Sequence, residues 1–278
     1  MRCGEISTEP DGLYTPVVGR WSEEKYMLLA NYAQVFATSM KDKWEDRVYI
    51  DLFAGAGQAR IRDSTREVLC SPLLALAVDH PFDHYIFCDA DPICVEALQT
   101  RVRKIAPNVQ AHYITEDANE AAEEILRWIP QYSKEHKVLT FCFVDPYSLS
   151  NLRFETLKKL STRFVDFLVH LPAMDPIRNR DIYSADNDIV DRFLGDSTWR
   201  AVWEQEKVRS CFPFFIAQQF NLRMRKLGYA EGIKDSVFVR STSKNLPLYR
   251  LGFFTRHPLG TKFWKEVKRC NDSQLPLL

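Results

Sequence analysis

Val48-Tyr-Ile-Asp-Leu-Phe-Ala-Gly-Ala-Gly57 is the stretch whose reading decides the fold. VYIDLF is a short, β-rich apolar run, and it ends in a glycine turn. Glycines directly after a strand let the backbone approach a ligand closely. No Lys-Ser/Thr follows, so the turn is not a P-loop. The third glycine of a dinucleotide fingerprint is missing and no helix pattern starts promptly, which disfavours a nicotinamide-dependent dehydrogenase. With no phosphate to cradle, the turn fits a nucleoside with an amino-acid tail. Asp51 would then face the cationic amine of that tail, directly or through water. A turn that only packs the chain is the competing reading.

Working outward, residues 1–20 read as a loose leader and 21–278 as one domain. From Trp21 to about Met40, apolar residues recur with helical spacing, with Ser22 as the expected N-cap. After the glycine turn, residues 58–70 read as an Arg-rich polar loop. Ser71-Pro72 and Asp91-Pro92 then read as N-cap and N1 of two helices. HYIFCDAD, residues 109–115, VLTFCFVDPY and VDFLVHLP are the next four strands, alternating with helices. Strands apolar on both faces indicate a parallel sheet covered by helices. Residues 173–206 break the rhythm and read as a small helical insertion. SVFVRST and PLYRLGFFT follow, separated by a link too short for a parallel crossover, so they form an antiparallel hairpin. The expected fold is α/β and Rossmann-like: a mostly parallel, seven-stranded sheet with a terminal antiparallel hairpin. This is the layout of the class I S-adenosylmethionine (SAM) methyltransferases.

Composition sets outer limits. The 278 residues are 46% hydrophobic and 27% charged, which excludes collagen, coiled coil and disorder. No stretch approaches the length of an uncharged membrane span. The first residues carry no apolar signal-peptide core. The 7 cysteines form no CxxC pair and the 6 histidines are scattered, so no zinc spacing appears. Cys88 and Cys142 sit inside apolar runs and read as buried small hydrophobes. A reducing, cytoplasmic setting is the expectation.

Acidic residues punctuate the strand ends, where open α/β sheets bind ligands: Asp51, Asp89, Asp117 and Asp145. Asp89 is placed to accept from ribose hydroxyls. Asp117, with Asn119 on the same turn, is placed to accept from an adenine amino group, or equally to cap a helix. Asp145-Pro146-Tyr147 sets a carboxylate beside a proline-fixed turn and an aromatic ring. Such a group can orient a planar amine and stack on it for in-line attack; a packing turn is the alternative.

DLFAGAG with an acidic strand end and Asp-Pro-Tyr resembles the nucleic-acid methyltransferases. The ordered set WSEEK at 21–25, YIDLFAGAG, SPLLAL, FCDADP, EDAN, FVDPYSL and YRLGFFTRHPLG is similar to the three-Cys-motif partner protein (TcmP) family. The resemblance implies a SAM-dependent methyltransferase-like protein, amine-directed and acting on nucleic acid. It also implies a separate partner protein carrying a three-cysteine motif. Under it, Asp51, Phe53, Gly55 and Gly57 form the SAM loop. Asp89 takes the ribose, Asp117 and Asn119 the adenine, and Lys25 approaches the cofactor. Asp145, Pro146 and Tyr147 hold the target. The alternative is a non-catalytic or differently catalytic SAM- or nucleotide-binding protein that works with its partner. Amine methyltransferases usually carry Asp-Pro-Pro-aromatic, whereas this chain has one proline and its aromatic ring one place earlier. A cytosine-carbon methyltransferase would need a Pro-Cys nucleophile here, and there is none.

The formal net charge of +0 hides a segregation. Residues 223–270 hold twelve Lys/Arg against three Asp/Glu, and residues 173–206 hold four against eight. The basic stretch interleaves Arg240, Lys244, Arg250 and Arg256 with aromatics. It reads either as a solvated basic face or as a surface for nucleic acid or an acidic partner.

Overall fold

The computed structural model describes residues 7–178, 180–184, 187–206, 211–240 and 247–272. Its first elements are β1 (Ser7–Thr8), β2 (Val17–Val18) and α1 (Ser22–Met40). Next come β3 (Asp46–Asp51), β4 (Gln58–Ile61), β5 (Glu67–Leu69), α2 (Ser71–Leu76) and β6 (His84–Asp89). They are followed by α3 (Pro92–Ile105), β7 (Ala111–Thr115), α4 (Ala122–Trp128), β8 (Val138–Val144), α5 (Phe154–Leu160) and β9 (Val165–Pro172). Four short helices, α6 (Met174–Arg178), α7 (Arg180–Ser184), α8 (Ile189–Leu194) and α9 (Trp199–Glu206), make up the helical insertion. The chain ends in α10 (Phe212–Lys226), β10 (Val237–Arg240), β11 (Pro247–Phe254) and α11 (Pro258–Asp272).

Seven strands form one sheet in the order β10-β11-β9-β8-β3-β6-β7. β3, β6, β7, β8 and β9 are mutually parallel. β11 runs antiparallel between β9 and β10. This is the expected Rossmann-like class I methyltransferase fold. β3 sits at the centre because Val48, Tyr49 and Ile50 are all fully buried, so both of its faces must be covered. Side chains alternate across the sheet. Phe141 and Phe143 of β8 pack on α1, α2 and α11, while Cys142 and Val144 pack toward α5, α8 and α10. Tyr32 of α1 anchors the first layer, 4.9 Å from the Phe141 ring and 4.5 Å from the Phe253 ring. Cys88 and Cys142 are fully buried.

The structure departs from the sequence reading in three places. The supposed polar loop at 58–70 is a β-hairpin, β4 with β5, joined to β1 and β2 in a four-stranded sheet. Its alternation is visible in retrospect: Gln58, Ala59 and Ile61 are buried and Arg60 exposed, with Asp63 at the turn in the left-handed region (φ 61°). The leader is docked rather than loose from Ser7 onward, since β1 and β2 pair with that hairpin. Helix starts shift by one residue: Trp21 and Cys70 occupy the N-cap positions expected for Ser22 and Ser71. Asp91 does cap α3, accepting from the Ile93 N–H at 2.9 Å. Lys244 and the rest of the 241–246 link lie outside the described residues.

Candidate functional site

Parallel strands end together, so Asp51, Asp89 and Val144 reach one edge of the sheet. The Gly loop crosses that edge. Gly55 and Gly57 both have left-handed φ, 59° and 81°, which L-residues adopt at a cost. They differ in surroundings. A Cβ on Gly57 would lie 2.8 Å from Leu98 Cδ1 and 3.0 Å from Leu73 Cγ, whereas one on Gly55 would meet nothing within 4 Å. Gly57 therefore lets the loop pack on α2 and α3, and Gly55 faces open space.

Asp89 holds the loop in place. Its carboxylate accepts from the Gly55 N–H at 2.7 Å and from the Asp91 N–H at 3.0 Å. Asp51 is fully buried. It accepts from the Tyr49 hydroxyl at 3.1 Å, the Phe53 N–H at 3.3 Å and the Ser71 hydroxyl. Burial, reinforced by the negative charge of Asp145, pushes Asp51 up to about 7. Phe53 is half-buried against the core layer under β3.

Asp117 and Asn119 form a turn at the end of β7. Asp117 Oδ1 accepts from the Asn119 N–H at 2.9 Å and from Asn119 Nδ2 at 2.8 Å. The Asn119 amide is spent on protein partners. Nδ2 also donates to the Asn151 carbonyl at 3.0 Å, and Oδ1 accepts from the Arg153 N–H at 2.7 Å and the Thr156 hydroxyl at 2.8 Å. In this structure Asn119 ties α4 to α5.

Asp145 is the electrostatic centre. Lys25 of α1 reaches it with Nζ 2.5 Å from Oδ2, and His170 of β9 places Nδ1 3.1 Å from Oδ1. The Lys25 and Asp145 side chains are only 9% and 15% exposed. His170 Nδ1 also lies 3.2 Å from the Pro146 carbonyl. Both of its neighbours are acceptors, so Nδ1 carries the proton. Burial holds the imidazole down at about 4, against the pull of Asp145, so it is neutral at pH 7. Its Nε2 is buried without a hydrogen-bond partner. Tyr249 closes the group: its ring is 4.4 Å from that of His170, its hydroxyl donates to the Trp21 carbonyl at 2.9 Å, and Lys25 Nζ stands 5.8 Å from its centroid. Pro146 is buried, while Tyr147 is 92% exposed.

The structure thus brings Lys25, Asp145 and Pro146 together, and separately Asp51, Gly55 and Asp89. Sequence reasoning missed His170 and Tyr249 in the first group. It also missed Arg101 of α3, which is 2% exposed and reaches under the Gly loop. Arg101 donates to the Ala56 carbonyl at 2.6 Å, the Tyr14 carbonyl at 3.0 Å and both Asp11 oxygens at 2.7 and 2.8 Å. The signal for His170 was a lone histidine near the end of the apolar run VDFLVHLP. Arg101 gave none, because a basic residue on an amphipathic helix is ordinarily solvated.

No family model matches the chain, and no curated protein matches it. Among solved structures, protein LPL1258 of Legionella pneumophila is similar at a TM-score of 0.54 and 13% identity, over 88% of this chain and 89% of that one. An rRNA methylase from Streptococcus thermophilus aligns at 0.41 and 7% identity, over 86% and 98%. The magnesium protoporphyrin IX methyltransferase ChlM of Synechocystis PCC 6803, solved with bound SAH, aligns at 0.41 and 12%, over 88% and 90%. With the strand order, the first of these likenesses establishes a Rossmann-like α/β fold.

Proposed function

We propose that this chain binds SAM across the Gly loop and transfers its methyl group to an amine of nucleic acid. The observation that carries the reading is Asp145. A largely buried carboxylate, its charge held by Lys25, stands at a strand end beside an aromatic ring that is 92% exposed. The loop fits the cofactor, because Gly55 turns in the left-handed region and faces open space. Gly55, Gly57, Phe53 and Asp89 would hold the nucleoside end. Asp51 would act on the amino-acid tail through the loop and Ser71, since it is closed to solvent. Asp117 would offer Oδ2, the oxygen that Asn119 does not use, to the adenine amino group. When bound, SAM supplies an electrophilic methyl group on a sulfonium.

The chain's own residues position the acceptor. Asp145 Oδ2 accepts from Lys25 and Oδ1 lies 3.1 Å from His170 Nδ1, so lone pairs on the carboxylate stay open to an amine N–H. Asp145, already engaged with Lys25, would orient the amine, and the amine proton would leave to solvent late. Tyr147 offers a face on which a base can stack.

The same pairing favours a second reading. A carboxylate that already holds Lys25 and His170 can serve structure alone, in a SAM- or nucleotide-binding protein that acts with a three-cysteine-motif partner. Two measurements separate the readings: calorimetry with SAM and SAH, and transfer from labelled SAM to RNA and DNA. The first reading expects binding, transfer, and loss of transfer with binding retained in Asp145→Asn. Binding without transfer supports the second reading, and absence of binding sinks the first reading and the SAM-binding form of the second.

A further inference from the structure

A cavity of about 510 Å³ opens between the helical insertion, α10 and the sheet, a size typical of small-molecule sites. Leu149 and Pro172 at its rim follow closely on Tyr147 and His170, so it lies at the sheet edge that carries Asp145. Leu171, Arg250 and Phe238 form one row across β9, β11 and β10, directly opposite one another in the register. Phe214 of α10 and Phe193 of α8 cover this row. Among the described residues that line the cavity, Arg250 alone is charged. Its guanidinium carbon lies 5.3 Å from the Phe214 ring centroid and 5.1 Å from that of Phe238. No described carboxylate pairs with it, and burial lowers its pKa. A strand arginine in an apolar row with no anion is costly to keep. Rings flank the guanidinium on two sides, and its planar N–H fork is the group that takes a carboxylate or phosphate bidentately.

We propose that this cavity binds a small organic anion, with an apolar body against Leu171, Phe193 and Phe214 and a carboxylate or phosphate on Arg250. The apolar lining argues against a nucleobase, whose polar edges would lose their hydrogen bonds there. The proposal needs no methyl transfer and stands apart from the reading of Asp145.

Two probes of matched body test it in the full chain by fluorescence titration: 8-anilinonaphthalene-1-sulfonate, which is anionic, and N-phenyl-1-naphthylamine, which is neutral. The anionic probe is expected to bind at one saturable site and to weaken about tenfold or more in Arg250→Met, the worth of one charge-assisted pair. The neutral probe is expected to change less than about twofold, as apolar contacts alone hold it, which also shows that the variant is folded. Ala217→Trp, which fills the cavity, is expected to block both. Displacement by 1-naphthoate assigns the head group as a carboxylate, and displacement by 1-naphthyl phosphate assigns it as a phosphate. The proposal is overturned if Arg250→Met affects both probes equally, if Ala217→Trp affects neither, or if single-stranded RNA displaces the anionic probe and neither small anion does.

Discussion

Removing either partner of the Lys25–Asp145 pair should cost stability, and removing both should cost less than the sum. The contact is 2.5 Å between side chains that are 9% and 15% exposed. Breaking a buried pair from one side costs about 3–5 kcal/mol, because it strands the other charge. Each survivor here keeps some support: Asp145 retains His170 Nδ1 at 3.1 Å from Oδ1, and Lys25 retains the rings of Tyr26 and Tyr249 at 5.2 and 5.8 Å. That lowers the expected loss to roughly 2–4 kcal/mol for Lys25→Met or Asp145→Asn, with a coupling of about 2 kcal/mol in the double variant. Urea unfolding of the four proteins measures the cycle. An independent readout is the His170 titration by NMR. Lys25 lowers its pKa and Asp145 raises it, so Lys25→Met should move it up from about 4 and Asp145→Asn should move it down. A coupling under about 0.5 kcal/mol, with His170 unmoved in both variants, would refute the view of these three groups as one electrostatic unit.

Three further outcomes follow from the same geometry. Arg101→Met should cost about 3–5 kcal/mol in urea unfolding, since it strands Asp11 and leaves the Ala56 and Tyr14 carbonyls unpaired, whereas Asp11→Asn should cost roughly 1–2 kcal/mol. Asp51 and Asp166 are both raised to about 7 by burial. The folded state therefore holds protons that the unfolded state releases above about pH 4, and their contribution to stability falls as pH rises from about 4 to 7. His170, depressed to about 4, has the opposite sign and loses its contribution as pH falls from about 6.5 to 4. Unfolding of Asp166→Asn at pH 5 and pH 8 isolates one acid, and an unchanged pH slope would place the titration elsewhere. Gly57→Ala should destabilise by about 2–3 kcal/mol, from a left-handed backbone plus the Leu98 clash, and Gly55→Ala by about 1 kcal/mol. Under the SAM reading, calorimetry should show Gly55→Ala losing the more cofactor affinity per unit of stability lost.

The sheet was legible because the inner parallel strands β3, β6, β8 and β9 are apolar runs closed by an acid or a proline, and burial on both faces demands that pattern. The hairpin β10–β11 was legible from its short link alone. What failed was local punctuation and long-range pairing. The 58–70 hairpin was hidden by its arginines: Gln58, Ala59, Ile61, Val68 and Cys70 are buried, but Arg60, Arg62 and the polar turn that follows read as a loop. Asp145 was found as a strand-end acid, but its partner Lys25 lies 120 positions away and became a partner only when α1 docked across the end of β8. Arg101 and Asp11 are 90 apart and meet for the same reason. Asn119 shows the limit most clearly. Its turn was placed correctly, yet the use of its amide is set by Arg153 and Thr156, which α5 brings to it.

The charge segregation resolves differently from what the basic stretch suggests. Much of that positive charge is consumed within the chain. Arg223 pairs at 2.6 Å with Asp196 of the acidic insertion, Lys265 and Lys268 both reach Asp235, and Arg269 pairs with Glu266. Arg256 donates to the carbonyls of Leu227 and Arg163. Position matters as much as pairing. β11 runs antiparallel, so Phe254 lies opposite Phe167 near the start of β9, and Arg256 just beyond it sits at the edge away from Asp145. The exposed Arg225 and Lys226, at the end of α10, share that far edge with Leu227. Of the described basic residues named in the stretch, Arg250 stands at the Asp145 edge between two rings, and Arg240, opposite Pro247 at the start of β11, reaches the same edge. Under the nucleic-acid reading, a strand reaching Asp145 would meet Arg240 and Arg250 at that edge and would stack a base on the exposed Tyr147 ring. Counterion release scales with the number of phosphates neutralised. On that reading the substrate is a single-stranded segment with unstacked bases, and its binding should weaken with salt in proportion to the phosphates that these arginines neutralise.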